Sequence, residues 1–271
     1  MANAASRLVG EVLPDVAYRQ WVVTFPPPLR YLLAYDAALL SRVIGFFMTS
    51  LFGWLRREAK RRYGLARLSE AHPAAFVVVQ RFGSALNVNP HLHVIAADGV
   101  FVRAGDSGGT GFRRLGAPVD AEARQLAWET CERTVRLLRA QGRGVDETSP
   151  PDGEDRLALD EPLLAELYGA SIRGVLALGP RSGQRVMTFA ENPRPAAEPS
   201  PQLTGTAFGF DVHARVAVDV GQRQALERLC KYLFRPPAGA ERFERAANGR
   251  IALRRKRPWA NGTSHILVTP T

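Results

Sequence analysis

The 271 residues suffice for one large domain, and a composition of 46% hydrophobic and 23% charged residues excludes a largely disordered chain. Every long apolar run is broken by polar residues or glycine, and the first residues lack a secretory pattern, so we expect a soluble cytoplasmic protein. A formal net charge of +10 favours a polyanionic partner, and solvated basic faces without a partner are the alternative.

The basic side chains are concentrated in two clusters. The first comprises Arg56, Arg57, Lys60, Arg61 and Arg62, and the second comprises Arg250, Arg254, Arg255, Lys256 and Arg257. The only two cysteines, Cys131 and Cys230, lie in apolar helical patterns. They are predicted to be buried thiols, and by themselves they cannot form a zinc site.

The first elements are a strand over residues 17–25 and a helical region from about Leu29 to Tyr63. Three prolines at positions 26 to 28 end the strand, because proline removes a ladder donor and fixes φ. Apolar residues at helical spacing between Leu39 and Leu51 predict that the helical region packs in the core.

Two further strands are predicted over residues 76–82 and 91–102. The first is a β-branched run suited to burial on both faces, and turn-forming residues separate it from the second. We therefore expect the two strands to pair as an antiparallel hairpin.

His91 and His93 alternate along the second of these strands, so that their imidazoles point to the same face. Two such imidazoles can hold one divalent metal ion, and two half-exposed structural histidines are the alternative. Gln80 contributes an amide oxygen as a third ligand if the hairpin register places it on that face. A glutamine in an ordinary polar gap is equally consistent with the sequence, which does not determine the register.

The sequence pattern in the middle of the chain indicates fewer functional residues. Asp120 is expected to cap a helix that extends to about Gln141, with Ala127, Cys131, Val135 and Leu138 on its apolar stripe. Loop-rich segments near 142–160 and 191–205 flank a short helix around 163–168. A strand over 208–220 carries His213, and a single histidine on a strand is more often structural than catalytic.

The last third predicts a helix and a hairpin. The helix lies within 221–237, ends before Pro236, and has an apolar face of Ala225, Leu226, Leu229, Cys230 and Leu233. Tyr232 projects about 100° from the centre of that face, at its border, where a side chain can reach a cleft. The hairpin spans 251–268 with Asn261-Gly262 as its turn. Together the elements predict one α+β domain over 1–271, with a mainly antiparallel sheet and a helical insertion near 29–66.

A histidine pair, a tyrosine at the border of a later helix and a basic surface favour a tyrosine nucleophile that attacks a DNA phosphodiester. In this chemistry a divalent ion, Mg²⁺ or Mn²⁺, polarises the phosphate, a phosphotyrosine forms and a 3′-hydroxyl leaves. Oxygen-rich substrates favour such hard ions, although imidazoles also accept softer ones.

The segments QRFGSALNVNPHLHVIAADGVF and ERLCKYLFRPPAGAERF resemble the histidine and tyrosine blocks of HUH rolling-circle transposases of bacterial insertion sequences. The resemblance is to the insertion sequence 91 group and its common-region relatives, and it covers nearly the whole chain in the same order. It implies a single-strand DNA endonuclease and strand-transferase, with His91 and His93 as metal ligands and Tyr232 as nucleophile.

The chain departs from this family pattern in three places. Two-tyrosine members carry a second tyrosine where this chain has Arg228, so it is similar to the single-tyrosine branch. The resemblance also implies a zinc-ribbon-like segment before Leu13 and a longer tail after Val268, and we expect both ends to be truncated. A DNA-binding remnant without catalysis is therefore an alternative, and a metal-dependent hydrolase that uses water as nucleophile is a weaker one.

Overall fold

The computed structural model describes residues 2–82, 88–104, 109–143, 203–235, 243–245, 251–254 and 264–268. Within these ranges helices flank a mainly antiparallel sheet, which confirms the expected α+β class. The helices are α1 (Ala2–Arg7), α2 (Pro27–Tyr35), α3 (Ala37–Tyr63), α4 (Asp120–Ala140) and α5 (Arg223–Leu233). A π-helical turn (Leu8–Val12) continues α1, and a 3₁₀ turn (Leu68–Glu70) follows α3.

The strands form three sheets. The central sheet contains β1 (Tyr18–Thr24), β2 (Ala75–Phe82), β3 (Val88–Ala97), β6 (Thr204–Ala207), β7 (Phe210–His213) and β8 (Ala217–Val218). A two-stranded sheet contains β4 (Gly99–Ala104) and β5 (Gly109–Arg114), and a three-stranded sheet contains β9 (Phe243–Arg245), β10 (Ile251–Arg254) and β11 (His265–Val268).

The first strand of the chain lies in the middle of the central sheet. The strand order is β2-β3-β1-β7-β6, and β8 pairs with the first residues of β1 beside β7. β2 and β3 pair antiparallel, as the sequence predicts, with Gln80 opposite His91 and Val78 opposite His93. The register that was undetermined from the sequence thus puts Gln80 on the histidine face.

The two faces of the central sheet differ in what covers them. On one face Trp21, Val23, Leu92 and Val94 are buried against α2, α3 and α4 in the main hydrophobic core. On the opposite face, which carries His91 and His93, a smaller core joins Ile95 and Tyr18 to α1 and α5. We call this second side the histidine face.

The predicted helical region near 29–63 is two helices. α2 begins at Pro27, because proline is tolerated in a first helical turn. Asp36 then adopts an extended conformation and its Oδ1 accepts a hydrogen bond from the Leu39 amide at 2.8 Å, which caps α3. By length and hydropathy α3 could cross a membrane, but the residues from Leu39 to Ala59 that form its apolar stripe are buried in the main core.

The strand expected over 91–102 is interrupted at Asp98, where the chain leaves the central sheet for the two-stranded one. The Asp98 carboxylate accepts hydrogen bonds from Arg19 Nε at 2.8 Å and Nη2 at 3.0 Å, and both side chains are buried. Arg19 also donates to the Ala214 carbonyl. A buried, bidentate ion pair of this kind fixes the point where the strand changes sheets. The partner strand β5 was missed because its sequence is rich in glycine.

The strand expected over 208–220 is instead two short strands, β7 and β8, and β6 precedes them. Phe208 and Gly209 form the turn between β6 and β7, and the chain leaves the strand conformation again between His213 and Ala217. Gly209 has a φ of +80° and Phe208 one of +48°, so the backbone reverses where the alternating pattern predicted extension.

Two expectations for α4 were wrong. Asp120 is its first residue rather than its cap: the Glu122 side chain accepts from the Val119 amide, and Asp120 accepts from Thr204. Val135 is exposed, and the buried stripe instead includes Thr130 and Thr134, whose hydroxyls bond to backbone carbonyls one turn earlier.

The terminal hairpin is confirmed by the antiparallel pairing of β10 with β11, and β9 adds a third strand. Several sequence predictions lie outside the described residues. These are the Asn261-Gly262 turn, the 142–160 and 191–205 loops apart from their first and last residues, the 163–168 helix, and all of the second basic cluster except Arg254.

Candidate functional site

β3 presents His91 and His93 side by side on the histidine face. The strand is interior, with β2 on one side and β1 on the other, so its backbone is held by both neighbours. The centroids of the two imidazole rings are 5.0 Å apart and the ring planes meet at 65°. Two rings this close on one rigid strand can direct a nitrogen each toward a shared cation.

The hydrogen bond of His91 fixes its tautomer. His91 Nδ1 lies 2.7 Å from the carbonyl oxygen of Asn89. Because a carbonyl can only accept, Nδ1 carries a proton, and in the neutral ring Nε2 then keeps its lone pair. This arrangement, with one ring nitrogen donating to the protein, is usual for a metal-binding histidine.

His93 is buried, with 6% of its surface exposed. Its Nδ1 lies 2.7 Å from the Gln20 amide nitrogen, and its Nε2 is buried without a hydrogen-bond partner within the described part of the chain. Burial, and secondarily the charge of His91, lower the pKa of His93 to about 4, so the ring is neutral at pH 7. A neutral imidazole with an unpaired buried nitrogen has the protonation state that binds a metal ion.

Gln80 connects the histidine pair to α5. Its Cα is paired with that of His91 in the β2–β3 register, and its Nε2 donates to the Leu233 carbonyl at 3.3 Å. Of the two polar atoms of this amide, only Oε1 can bind a cation. No group of three His, Cys, Asp or Glu side chains suitable for a metal occurs in the described ranges. Two imidazoles and the Gln80 oxygen could supply part of the ligand set of a cation.

Tyr232 lies on the helix that packs on the histidine face. Leu226, Cys230 and Leu233 bury α5 against Ile95 and Tyr18 of that face, as the apolar pattern of the helix predicts. Tyr232 lies outside the buried stripe and is 52% exposed. It directly precedes Leu233, whose carbonyl Gln80 contacts. The structure thus brings the Tyr232 helix and the histidine strand together through Gln80.

A cavity of about 580 Å³ adjoins this junction between β2 and the end of α5. Its walls are formed by Ala4, Val78, Val79, Gln80, Arg81, Phe82, Leu233, Phe234 and Arg235. It shares Gln80 and Leu233 with the site and adds two arginines and two phenylalanines. Such side chains can contact phosphates and stack on bases.

Sequence reasoning missed a polar row that crosses the histidine face. The strand registers align Gln80, His91, Thr24, Asp211 and Thr206. Asp211 accepts hydrogen bonds from Thr24 at 3.2 Å and from Thr206 at 2.7 Å. Gln20 was also missed. Only the strand pairing reveals these residues, because none of them belongs to a local motif.

His213 is on the histidine face but belongs to a different environment. It lies on β7, which β1 separates from the strand of His91 and His93. Its side chain is exposed and its Nδ1 is 3.0 Å from the Thr204 hydroxyl. The structure therefore does not bring it together with the histidine pair.

Residues 74–271 match a family model described as "Putative transposase". The matched range is well over half of the chain and contains Gln80, His91, His93 and Tyr232, whereas β1 and Gln20 precede it. No curated protein and no solved structure matches the chain.

Proposed function

This chain belongs to the transposase family matched by residues 74–271, and we propose that it cuts and joins single-stranded DNA through Tyr232 during rolling-circle transposition of an insertion sequence. The observation that carries the proposal is the packing of α5 on the histidine face, with Gln80 in contact with both strand and helix. A DNA substrate is consistent with the net charge of +10. We place the activity in the cytoplasm, where such DNA is accessible.

The residues divide the chemistry between them. His91 and His93, with the Gln80 amide oxygen, would hold Mg²⁺ or Mn²⁺, which supplies Lewis-acid polarisation of a phosphate oxygen. The Tyr232 hydroxyl loses its proton to solvent and its oxygen attacks phosphorus. The bond from phosphorus to the 3′-oxygen breaks, and that oxygen takes up a proton from solvent and leaves as a 3′-hydroxyl. The phosphotyrosine conserves the energy of the broken bond, so another 3′-hydroxyl can reverse the step and join strands.

The test is a covalent adduct between the protein and a cut single strand. We expect wild type to become linked to the 5′ side of the cut through Tyr232, and Tyr232→Phe to abolish the adduct with little change in folding. Only one hydroxyl is removed, from a side chain that is half exposed. Denaturing electrophoresis of labelled oligonucleotides from the ends of the element, followed by peptide mapping, measures the link.

Tyr35→Phe is the matched control, since Tyr35 is also exposed but belongs to α2. It should form the adduct as wild type does. A phosphotyrosyl link at any tyrosine other than 232 would refute the assignment. Single-strand binding by wild type without any adduct would favour the second candidate, a catalytically inactive DNA-binding remnant.

A further inference from the structure

Gln20 is a buried polar residue in direct contact with His93. It lies on β1, is 6% exposed, and its amide group is 2.7 Å from His93 Nδ1. Its backbone is fixed on both sides, because β1 pairs with β3 and the backbone N–H of Gln20 donates to the Val216 carbonyl. A buried amide aimed at one ring nitrogen of a histidine determines which nitrogen carries the proton.

The two orientations of the Gln20 amide have different consequences. If Gln20 Nε2 donates to Nδ1, the neutral His93 ring must carry its proton on Nε2. That atom is buried without an acceptor among the described residues, and a buried N–H without an acceptor is destabilising. A half-turn of the amide instead places Oε1 against Nδ1, which then carries the proton and leaves a lone pair on Nε2.

We propose that Gln20 is a positioning residue for the metal site: its Oε1 accepts a hydrogen bond from His93 Nδ1 and so directs the Nε2 lone pair toward the cation. The inference rests on the metal site of the proposed function. It gives His93 the tautomer that the Asn89 carbonyl imposes on His91, so both imidazoles of the pair bind through Nε2. One partner is a backbone carbonyl and the other is a side chain of a different strand.

The experiment compares Gln20→Met with Gln20→Glu in the full chain. Methionine has a similar length but cannot replace the amide hydrogen bond, whereas a carboxylate can accept from Nδ1 and cannot donate to it. Mn²⁺ affinity is measured by titration calorimetry. The His93 tautomer is read in metal-free protein from ¹⁵N shifts of the two ring nitrogens.

We expect Gln20→Met to weaken Mn²⁺ binding by roughly 10- to 100-fold, the usual effect of removing a residue that hydrogen-bonds a metal-binding histidine. The same variant should shift the His93 proton from Nδ1 toward Nε2. Gln20→Glu should keep the Nδ1 proton and bind Mn²⁺ within about tenfold of wild type, since the acceptor is retained. Gln125→Met, the same substitution on α4, should leave both readouts unchanged, because the Gln125 side-chain nitrogen donates to Glu129 on the same helix.

Wild-type behaviour of Gln20→Met in both readouts would overturn the proposal. So would an equal loss in Gln20→Glu and Gln20→Met, since this would show that the amide donates to the ring. If wild type binds no Mn²⁺, the proposed metal site fails. The His93 tautomer in metal-free Gln20→Glu and Gln20→Met still decides whether Gln20 determines which ring nitrogen carries the proton. Circular dichroism confirms that each variant is folded.

Discussion

The two histidines of β3 have different roles in stability, although the same role in metal binding is proposed for both. His91 is half-buried and its Nδ1 bonds to the nearby Asn89 carbonyl, whereas His93 is buried and contacts a side chain on another strand. Removal of the His91 ring therefore disturbs little of the fold. Removal of the His93 ring leaves a cavity and an unpaired amide.

We predict that His91→Ala and His93→Ala both abolish detectable Mn²⁺ binding and adduct formation. His93→Ala should lower the free energy of unfolding by about 1–3 kcal/mol, and His91→Ala by less than about 1 kcal/mol. Calorimetry measures the binding, and urea denaturation without metal measures stability. Wild-type Mn²⁺ affinity in either variant, or full cleavage by wild type in EDTA, would contradict the proposed metal site.

Two buried weak acids, Cys230 on α5 and Tyr18 on β1, are expected to lower the stability of the fold at alkaline pH. Burial, and secondarily the charge of Glu227, raise the pKa of the Cys230 thiol to about 11. Burial raises the pKa of Tyr18 to about 12, although Arg223 opposes the shift. Both groups therefore remain protonated in the folded protein at pH values where the unfolded chain loses their protons.

We predict that the free energy of unfolding falls as pH rises above about 9, where an unfolded cysteine begins to ionise, and falls further above about 10, where an unfolded tyrosine does. The sign follows because the folded pKa values are raised, so the stabilisation is complete below the unfolded values and is lost above them. Urea denaturation at pH 7, 9, 10 and 11 measures the change. Cys230→Ala should reduce the slope of the free energy of unfolding against pH between pH 9 and 11. An unchanged slope in that variant would show that another group causes the pH dependence.

At the scale of elements, β6 and α4 approach so closely that only glycine fits between them. A Cβ on Gly205 would lie 2.0 Å from the Arg124 backbone nitrogen and 2.3 Å from the Ala123 carbonyl carbon. Backbone atoms of a helix cannot yield as a flexible side chain can. This contact sets the distance of α4 from the sheet.

We predict that Gly205→Ala lowers the free energy of unfolding by more than about 2 kcal/mol, because strand and helix must separate. Gly45→Ala is the matched control. Gly45 lies within α3 with no atom near its added Cβ, and alanine should stabilise the helix there by about 0.5–1 kcal/mol. Thermal and urea unfolding compare the two variants, and equal effects would contradict the close contact.

The helices and strands that the sequence predicted well are those that a pattern within their own residues specifies. Periodicity alone identified α5 and its buried Leu226 and Leu233, and alternation identified the strand of His91 and His93. The interruption at Asp98 was not predictable in the same way. It depends on Arg19, which is 79 positions away in the sequence and forms the buried ion pair.

The candidate site shows the same division. His91 and His93 were proposed from their spacing on one strand, and Tyr232 from its position at the border of one helix and from the family resemblance. Gln20 and Asp211 were missed because each becomes a neighbour of the site only after β1 and β7 pair across the sheet. Gln80 was intermediate, since its hairpin was predicted but its face depended on the register.

At the scale of the whole molecule, much of the first basic cluster serves internal contacts. Arg61 and Arg62 pair with Glu58, and the Lys60 ammonium donates to the Ala66 carbonyl. The pairs with Glu58 lie within α3, whereas the Lys60 contact joins the end of α3 to the segment that follows it. Their contribution to the net charge of +10 remains, but they are less available as individual phosphate contacts.

We predict that affinity for single-stranded DNA decreases steeply with salt, because bound phosphates release condensed counterions. A protein with several phosphate contacts should lose roughly a hundredfold or more in affinity between 50 and 200 mM salt. Fluorescence anisotropy of a labelled oligonucleotide measures the slope, and an equal length of duplex as competitor tests strand preference. A flat response to salt would argue against DNA as partner.

The central position of β1 has a consequence for the order in which the protein folds. Arg19 of β1 donates to the carbonyl of Ala214, 195 positions later, and Thr24 bonds to Asp211, 187 positions later. At roughly 5–20 residues per second, a ribosome needs about 10–40 seconds to synthesise the segment between them. The nascent chain can pair β1 with β3 long before β7 and α5 exist. The histidine strand can therefore pair with β1 before the helix that carries Tyr232 has been synthesised.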